Sequence, residues 1–81
     1  MKVDIITPEH QLNIDEVTLI QLPGMDGLFE ILKDHAPMIS ALGVGKAKLE
    51  VAGETRFYQI EHGVVEVLKN HVKIMTEACS E

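Results

Sequence analysis

Apolar and polar residues alternate along most of this chain with a period of two. The clearest run is Lys46-Ala47-Lys48-Leu49-Glu50-Val51, with Ala47, Leu49 and Val51 on one side and Lys46, Lys48 and Glu50 on the other. Successive strand residues point to opposite faces, so this run predicts a half-buried β-strand with one wet face. Ala52-Gly53-Glu54 supplies a hairpin turn, and Thr55 to Ile60, rich in β-branched and aromatic residues, returns as the next strand. His62-Gly63 breaks the pattern, and Val64 to Leu68 resumes it. Lys69-Asn70 turns the chain because Asn tolerates the left-handed conformation. His71 to Thr76 follows, with Val72 and Ile74 on one face and His71, Lys73 and Met75 on the other.

The first half reads the same way. Val3 to Ile6 is a strand stopped by Thr7-Pro8, since proline cannot donate to a ladder. His10 to Ile14 is short. Val17 to Leu22 runs into Pro23-Gly24, and Gly27 to Leu32 is its hairpin mate. Met38 to Leu42 ends at Gly43-Val44-Gly45. Strands spaced about ten residues apart, with turn signals between them, predict an all-β sandwich or barrel. Leu28 to Lys33 is the best helical stretch, but it is too short and lacks a cap.

Some apolar residues fall on the wrong side of this pattern. Leu19, Phe57, Val64 and Leu68 do not fit a single buried face, and Met25 and Leu28 sit at a turn where polar residues are usual. Two readings stay open: β-bulges that re-aim side chains together with ordinary surface scatter, or a second surface covered by another protein.

Size and charge narrow the function. Eighty-one residues make one domain, spanning 1–81, with one small core and a stability on the order of 5 kcal/mol. The net charge is −6, with no cluster of Lys or Arg, so phosphate backbones are repelled and nucleic-acid binding is not expected. A basic patch on a partner protein would be attracted. Cys79 is the single cysteine, so no internal disulfide forms, and it reads as an inert tail thiol on a frayed terminus. No apolar run reaches the roughly 18 residues of a spanning helix, and Asp4 and Pro8 interrupt any signal-peptide pattern. The expectation is a cytoplasmic protein that meets a membrane only through partners.

Catalytic chemistry finds no foothold. His10, His35, His62 and His71 match no metal-ligand spacing, and Glu9-His10 and Glu61-His62 are adjacent pairs that point to opposite faces of a strand. Gly45-Lys46 echoes the end of a P-loop, but Ala47 stands where Ser or Thr is needed and Ser40 where the first Gly belongs. Ser40 and Ser80 lie in no nucleophile elbow. Lys69 lacks the neighbours of a lipoyl-bearing lysine. No cofactor and no metal are expected.

An ordered set of strings nevertheless carries a resemblance: Val3-Asp4-Ile5-Ile6-Thr7-Pro8-Glu9, Pro23-Gly24-Met25-Asp26-Gly27, His35-Ala36-Pro37, Gly63-Val64-Val65-Glu66-Val67 and Asn70-His71-Val72-Lys73-Ile74. Together, over nearly the whole chain, they resemble the N-terminal domain of the epsilon subunit of bacterial F-type ATP synthase (the delta subunit in mitochondria). The resemblance implies a two-sheet β-sandwich of about ten short strands that clamps the gamma subunit and rests on the membrane c-ring, at the cytoplasmic face of the bacterial membrane. It implies a rotor subunit that couples ion-driven rotation to ATP synthesis without being an enzyme itself.

The resemblance also implies sites. Gly24, Met25, Asp26, Gly27 and Leu28 form the turn nearest the ring. His35 carries over as a gamma-facing residue, and the off-pattern Leu19, Phe57, Val64 and Leu68 become further gamma contacts. There are departures. Leu28 stands where the family often has an acidic residue, Lys33-Asp34 where Pro-Gly is common, and Glu61-His62-Gly63 where Ser-Gly-Gly is common. The two helices typical of the family do not follow the last strand here, so helix-mediated inhibition and ATP binding do not carry over. The competing expectations are a free-standing β-sandwich adaptor with another partner and a small metal enzyme using His10, His35 and His71.

Overall fold

A computed structural model describes residues 1–81 and contains strands and turns only. The eight strands are β1 (Lys2–Ile6), β2 (Gln11–Ile14), β3 (Val17–Gly24), β4 (Gly27–Leu32), β5 (Met38–Leu42), β6 (Gly45–Val51), β7 (Glu54–Leu68) and β8 (His71–Ser80). The expected strands Thr55 to Ile60 and Val64 to Leu68 are two halves of β7, and this merger is the main difference from the expected number. β8 runs on beyond Thr76, so Cys79 pairs with Ile60 and is half-buried rather than frayed.

One hydrogen-bonded network links all the strands, yet it folds into two layers. Layer I contains β2, β1, β8, the second half of β7, and β5. Layer II contains β4, β3, β6, the first half of β7 and the tip of β8. β5 and β6 pair with β7 in one unbroken register, Leu42 opposite Gly63 and Gly45 opposite Ile60. The chain therefore turns a corner at Gly43-Val44, Glu61-Gly63 and Thr76-Ala78, where strands pass from one layer to the other.

Each strand uses one extra residue at this corner. The inward set runs Tyr58 and Ile60, then Val65 and Val67 on β7. On the neighbouring pair it runs Leu42, then Ala47, Leu49 and Val51. His62 has a positive φ of 20° at the bend. Gly63 is required there, because a Cβ on it would collide with the Met75 carbonyl oxygen. The corner's irregular backbone is satisfied by the buried Thr76. Its hydroxyl accepts the Glu61 N–H at 3.2 Å and lies against the carbonyl oxygens of Glu61, His62 and Ala78. Buried polar groups need such partners.

Between the layers lies one apolar core, with Ile5, Ile20, Leu22, Ile31, Leu49, Ile60 and Ile74 fully buried. Val17 and Ile20 both face it because the β3–β6 register shifts between Val17 and Leu19. That bulge, not misplaced hydrophobicity, turns Leu19 outward.

Candidate functional site

The glycine turn is built by β3 and β4. Gly24 pairs with Gly27, and Met25-Asp26 form the tip. Gly27 has φ 124°, a conformation that side chains resist. Gly24 has no room for a Cβ, which would lie 2.9 Å from the Phe29 ring. The tip is anchored to the next turn by Met25 N–H to the Ala41 carbonyl (3.3 Å) and Gly43 N–H to the Pro23 carbonyl (2.8 Å). The turn thus holds a fixed shape, with a shallow depression of about 280 Å³ between it and Ser40-Ala41. Gly24, Met25, Asp26, Gly27 and Leu28 all line it.

The four off-pattern residues do not come together. Leu19 and Phe57 lie on the outer face of layer II, Val64 and Leu68 on the outer face of layer I. No single flat partner surface reaches all four. On layer II's outer face several polar groups pair with their neighbours: Lys46 Nζ sits 5.9 Å from the centroid of the Phe57 ring, Lys48 pairs with Glu50 at 3.8 Å, and Gln21 donates to Glu30 at 3.4 Å. The cation over its ring gives Phe57 a local reason to be where it is.

Layer I's outer face is different. Ala41, Val64, Met75 and Ile6 stand opposite one another on neighbouring strands and form a continuous apolar row. The row opens at one end into a depression of about 330 Å³ bordered by Thr7, Pro8 and His62. Near Leu68, a second groove of about 480 Å³ runs between Pro37-Met38-Ile39 and Glu66-Val67-Leu68. Ala41, Met75, Ile6 and Ile39 were not anticipated. Read along β8, Met75 belongs to a wet face with His71 and Lys73; the apolar row exists only across strands.

His35 lies in the loop entering β5, half-buried. Its ring Nδ1–H donates to the Ala36 carbonyl at 2.7 Å, and its backbone N–H donates to Leu32. Asp34 and Asn70 clasp this loop to the β7–β8 turn through two hydrogen bonds, of 2.6 and 2.7 Å. His71 is elsewhere: its Nε2–H donates to Asp4 at 2.7 Å, and Asn13 donates to the same carboxylate at 2.6 Å. The Asn13 bond first, then that of His71, holds the Asp4 carboxyl below its ordinary pKa. His10 is exposed at the β1–β2 turn, so His10, His35 and His71 do not converge, and no group of three His, Cys, Asp or Glu side chains could hold a metal ion. Burial, aided by Glu81, pushes the Cys79 thiol up.

The family model for the beta-sandwich domain of the ATP synthase delta/epsilon chain matches residues 1–81. The chain belongs to that family. The epsilon-type chain is 42% identical over 80 residues to the ATP synthase epsilon chain of Chlorobium limicola, covering 98% of this chain and 91% of that one. It is 32% identical over 77 residues to the epsilon chain of Solibacter usitatus, covering 95% of this chain but 58% of the longer relative. Among solved structures, the mitochondrial ATP synthase central stalk/c-ring of Tetrahymena thermophila contains a chain with the same fold. The TM-score is 0.84 at 20% identity, over 100% of this chain and 66% of that one. Both curated relatives are ATP synthase epsilon chains, and the all-strand fold here is the one the family model describes.

Proposed function

We propose that this protein is a rotor subunit of an F-type ATP synthase that binds the gamma subunit through the outer face of layer I and meets the c-ring with the Gly24–Leu28 turn. It couples ion-driven rotation to ATP synthesis from the cytoplasmic face of the bacterial membrane, held there by its partners. The observation that carries this reading is the Ala41–Val64–Met75–Ile6 row. Apolar side chains aligned across adjacent strands on an outer face are what a permanent partner covers. Leu68 lines the second groove on that face, and His35 lies in the loop that leads into β5. Leu19 and Phe57, on the far side, would need a different neighbour. Membership of the epsilon family and the fold shared with a chain from a central stalk/c-ring assembly support the same reading.

Acidic net charge suits contact with basic surfaces and adds steering. A rotor part must also pass torque without yielding. A sandwich in which β7 and β8 run unbroken through the corner transmits load along covalent backbone rather than across a loop. The test is affinity purification of the tagged chain from detergent-solubilised membranes. Gamma and c subunits are expected in the eluate; their absence overturns the proposal and leaves the adaptor reading.

A further inference from the structure

The loop from Lys33 to Pro37 lies between β4 and β5 and belongs to neither strand. Two of its hydrogen bonds are local: the His35 N–H donates to the Leu32 carbonyl at 3.1 Å and the His35 ring to the Ala36 carbonyl at 2.7 Å. Two others reach the β7–β8 turn. The Asp34 N–H donates to the Asn70 side-chain oxygen at 2.6 Å, and the Asn70 side-chain amide donates to the Asp34 carboxylate at 2.7 Å. Both residues hold a positive φ, 63° for Asp34 and 60° for Asn70, which L side chains adopt at a cost. The Asn70 carbonyl also accepts the Lys2 N–H at 3.1 Å. Asn70 is thus braced against β1, and the loop is the part fastened to it. Just beyond the fastening lies the groove of about 480 Å³, with Pro37, Met38 and Ile39 as one wall and Glu66, Val67 and Leu68 as the other. Ile39 is 73% exposed and Leu68 49%. Ile39 stands opposite Glu66 and on the same face of β5 as Ala41, so the groove continues the apolar row of layer I.

We infer that Asp34 and Asn70 are a positioning pair, whose reciprocal hydrogen bonds hold the Pro37–Ile39 wall at the distance from Leu68 that an apolar side chain of the gamma subunit requires. The inference rests on the proposed binding of gamma to this face and adds what keeps the face in shape. Neither residue of the pair touches gamma. From Met38 onward the loop-side wall is fixed by its ladder with β7, but Pro37 precedes the ladder and has no N–H to give. The near end of the wall therefore depends on the clasp. A loop released from it occupies the groove-forming position only part of the time, and apparent affinity falls by that fraction. Glycine at position 34 would meet the positive φ without strain. Aspartate tolerates the same conformation and adds a carboxylate for Asn70 to grip.

Asp34→Gly and Asn70→Gly test this in the full chain. Each removes the clasp yet suits the positive φ, so the sandwich stays folded. Titration calorimetry with purified gamma should show binding about tenfold weaker for either variant. Hydrogen exchange should quicken at the Asp34 and His35 amides while the strands keep their protection. The exchanged pair, Asp34→Asn with Asn70→Asp, retains a side-chain amide donor, a carboxylate and an acceptor for the backbone N–H at position 34. It should bind gamma within about threefold of the parent. Glycine variants that bind like the parent overturn the positioning role and leave the docking standing. So does a loss that the exchanged pair fails to recover, which would make these side chains direct contacts, or exchange that quickens throughout the strands, which would make the loss one of general stability. A parent chain that does not bind gamma at all overturns the docking and the positioning role together.

Discussion

The two outer faces of this sandwich come from the same alternating pattern, yet they differ in kind. On layer II most outward polar groups have a partner on their own face, Lys46 with Phe57, Lys48 with Glu50, Thr55 with Glu50 and Gln21 with Glu30, and the apolar residues left over are the cross-strand pair Leu19 and Leu32. On layer I the polar groups gather at one side, where Asp4 takes hydrogen bonds from Asn13 and His71. From there a charged row, Asp4, Lys73 and Glu66, crosses the face, and the apolar row from Ile6 to Ala41 runs beside it. The difference teaches that exposure alone is a poor mark of a docking face. Phe57 is 52% exposed and Met75 only 37%, but Phe57 lies under a cation and Met75 stands in line with three other apolar residues. Continuity across strands separates the two faces; accessibility does not.

The strongest way to break this contrast is at the corner that creates it. Gly63→Ala places a methyl group against the Met75 backbone, which cannot move aside. A loss of about 3 kcal/mol is expected, read as a lower midpoint in urea unfolding. The next effect discriminates between the faces directly. Val64→Lys with Met75→Lys should weaken gamma binding about a hundredfold, whereas Leu19→Lys with Phe57→Lys should change it less than about threefold. Titration calorimetry with gamma separates the outcomes, and a larger loss from the second pair would move the gamma site to layer II. Thr76→Val keeps the shape but leaves the Glu61 N–H without its acceptor, and about 2 kcal/mol of stability should go with it.

The smallest effect sharpens the polar half of layer I. The folded-state pKa of Asp4 lies below its ordinary value of 3.8, so the bonds it accepts favour the folded chain at pH above that value. This contribution fades as pH falls from there through the lowered folded-state pKa. Asp4→Asn should therefore be less stable than the parent at neutral pH, and the two unfolding curves should converge in the acid range below 3.8. Denaturant titrations at pH 7 and at acid pH test this; a gap that widens in acid would contradict it.

Much of the fold was legible from local alternation. The β3–β4 hairpin around Met25-Asp26, the turn at Ala52-Gly53 and the Lys69-Asn70 turn, with φ of 50° and 60°, are all where turn chemistry puts them. What local alternation hides is any single-residue change of phase. The bulge after Val17 and the extra residue at Glu61-Gly63 each swap the inner and outer faces. A period-two reading could flag Leu19 and Val64 as odd but could not assign them to opposite sides of the molecule. The apolar row depends on pairings of four strands distant in sequence, and the Asp4–His71 contact joins positions 67 residues apart. Cys79 was misjudged for the same reason: its partner Ile60 is supplied by the fold, not by its neighbours.

The parallel pairing of β1 with β8 has a consequence for how the chain is made. Of the eight strands, β1 leaves the ribosome first, and one of its two neighbours leaves last of the eight. Until β8 emerges, Val3 and Ile5 have only β2 beside them, and half of the sandwich has no middle. Closure across so long a loop is slow compared with local hairpins. Layer II can assemble during synthesis from the β3–β4 hairpin and the β6–β7 hairpin, while layer I waits for β8. The surface carrying Val64, Met75 and Ile6 is thus absent until β8 is in place, so whatever binds there takes up only chains whose sandwich has closed.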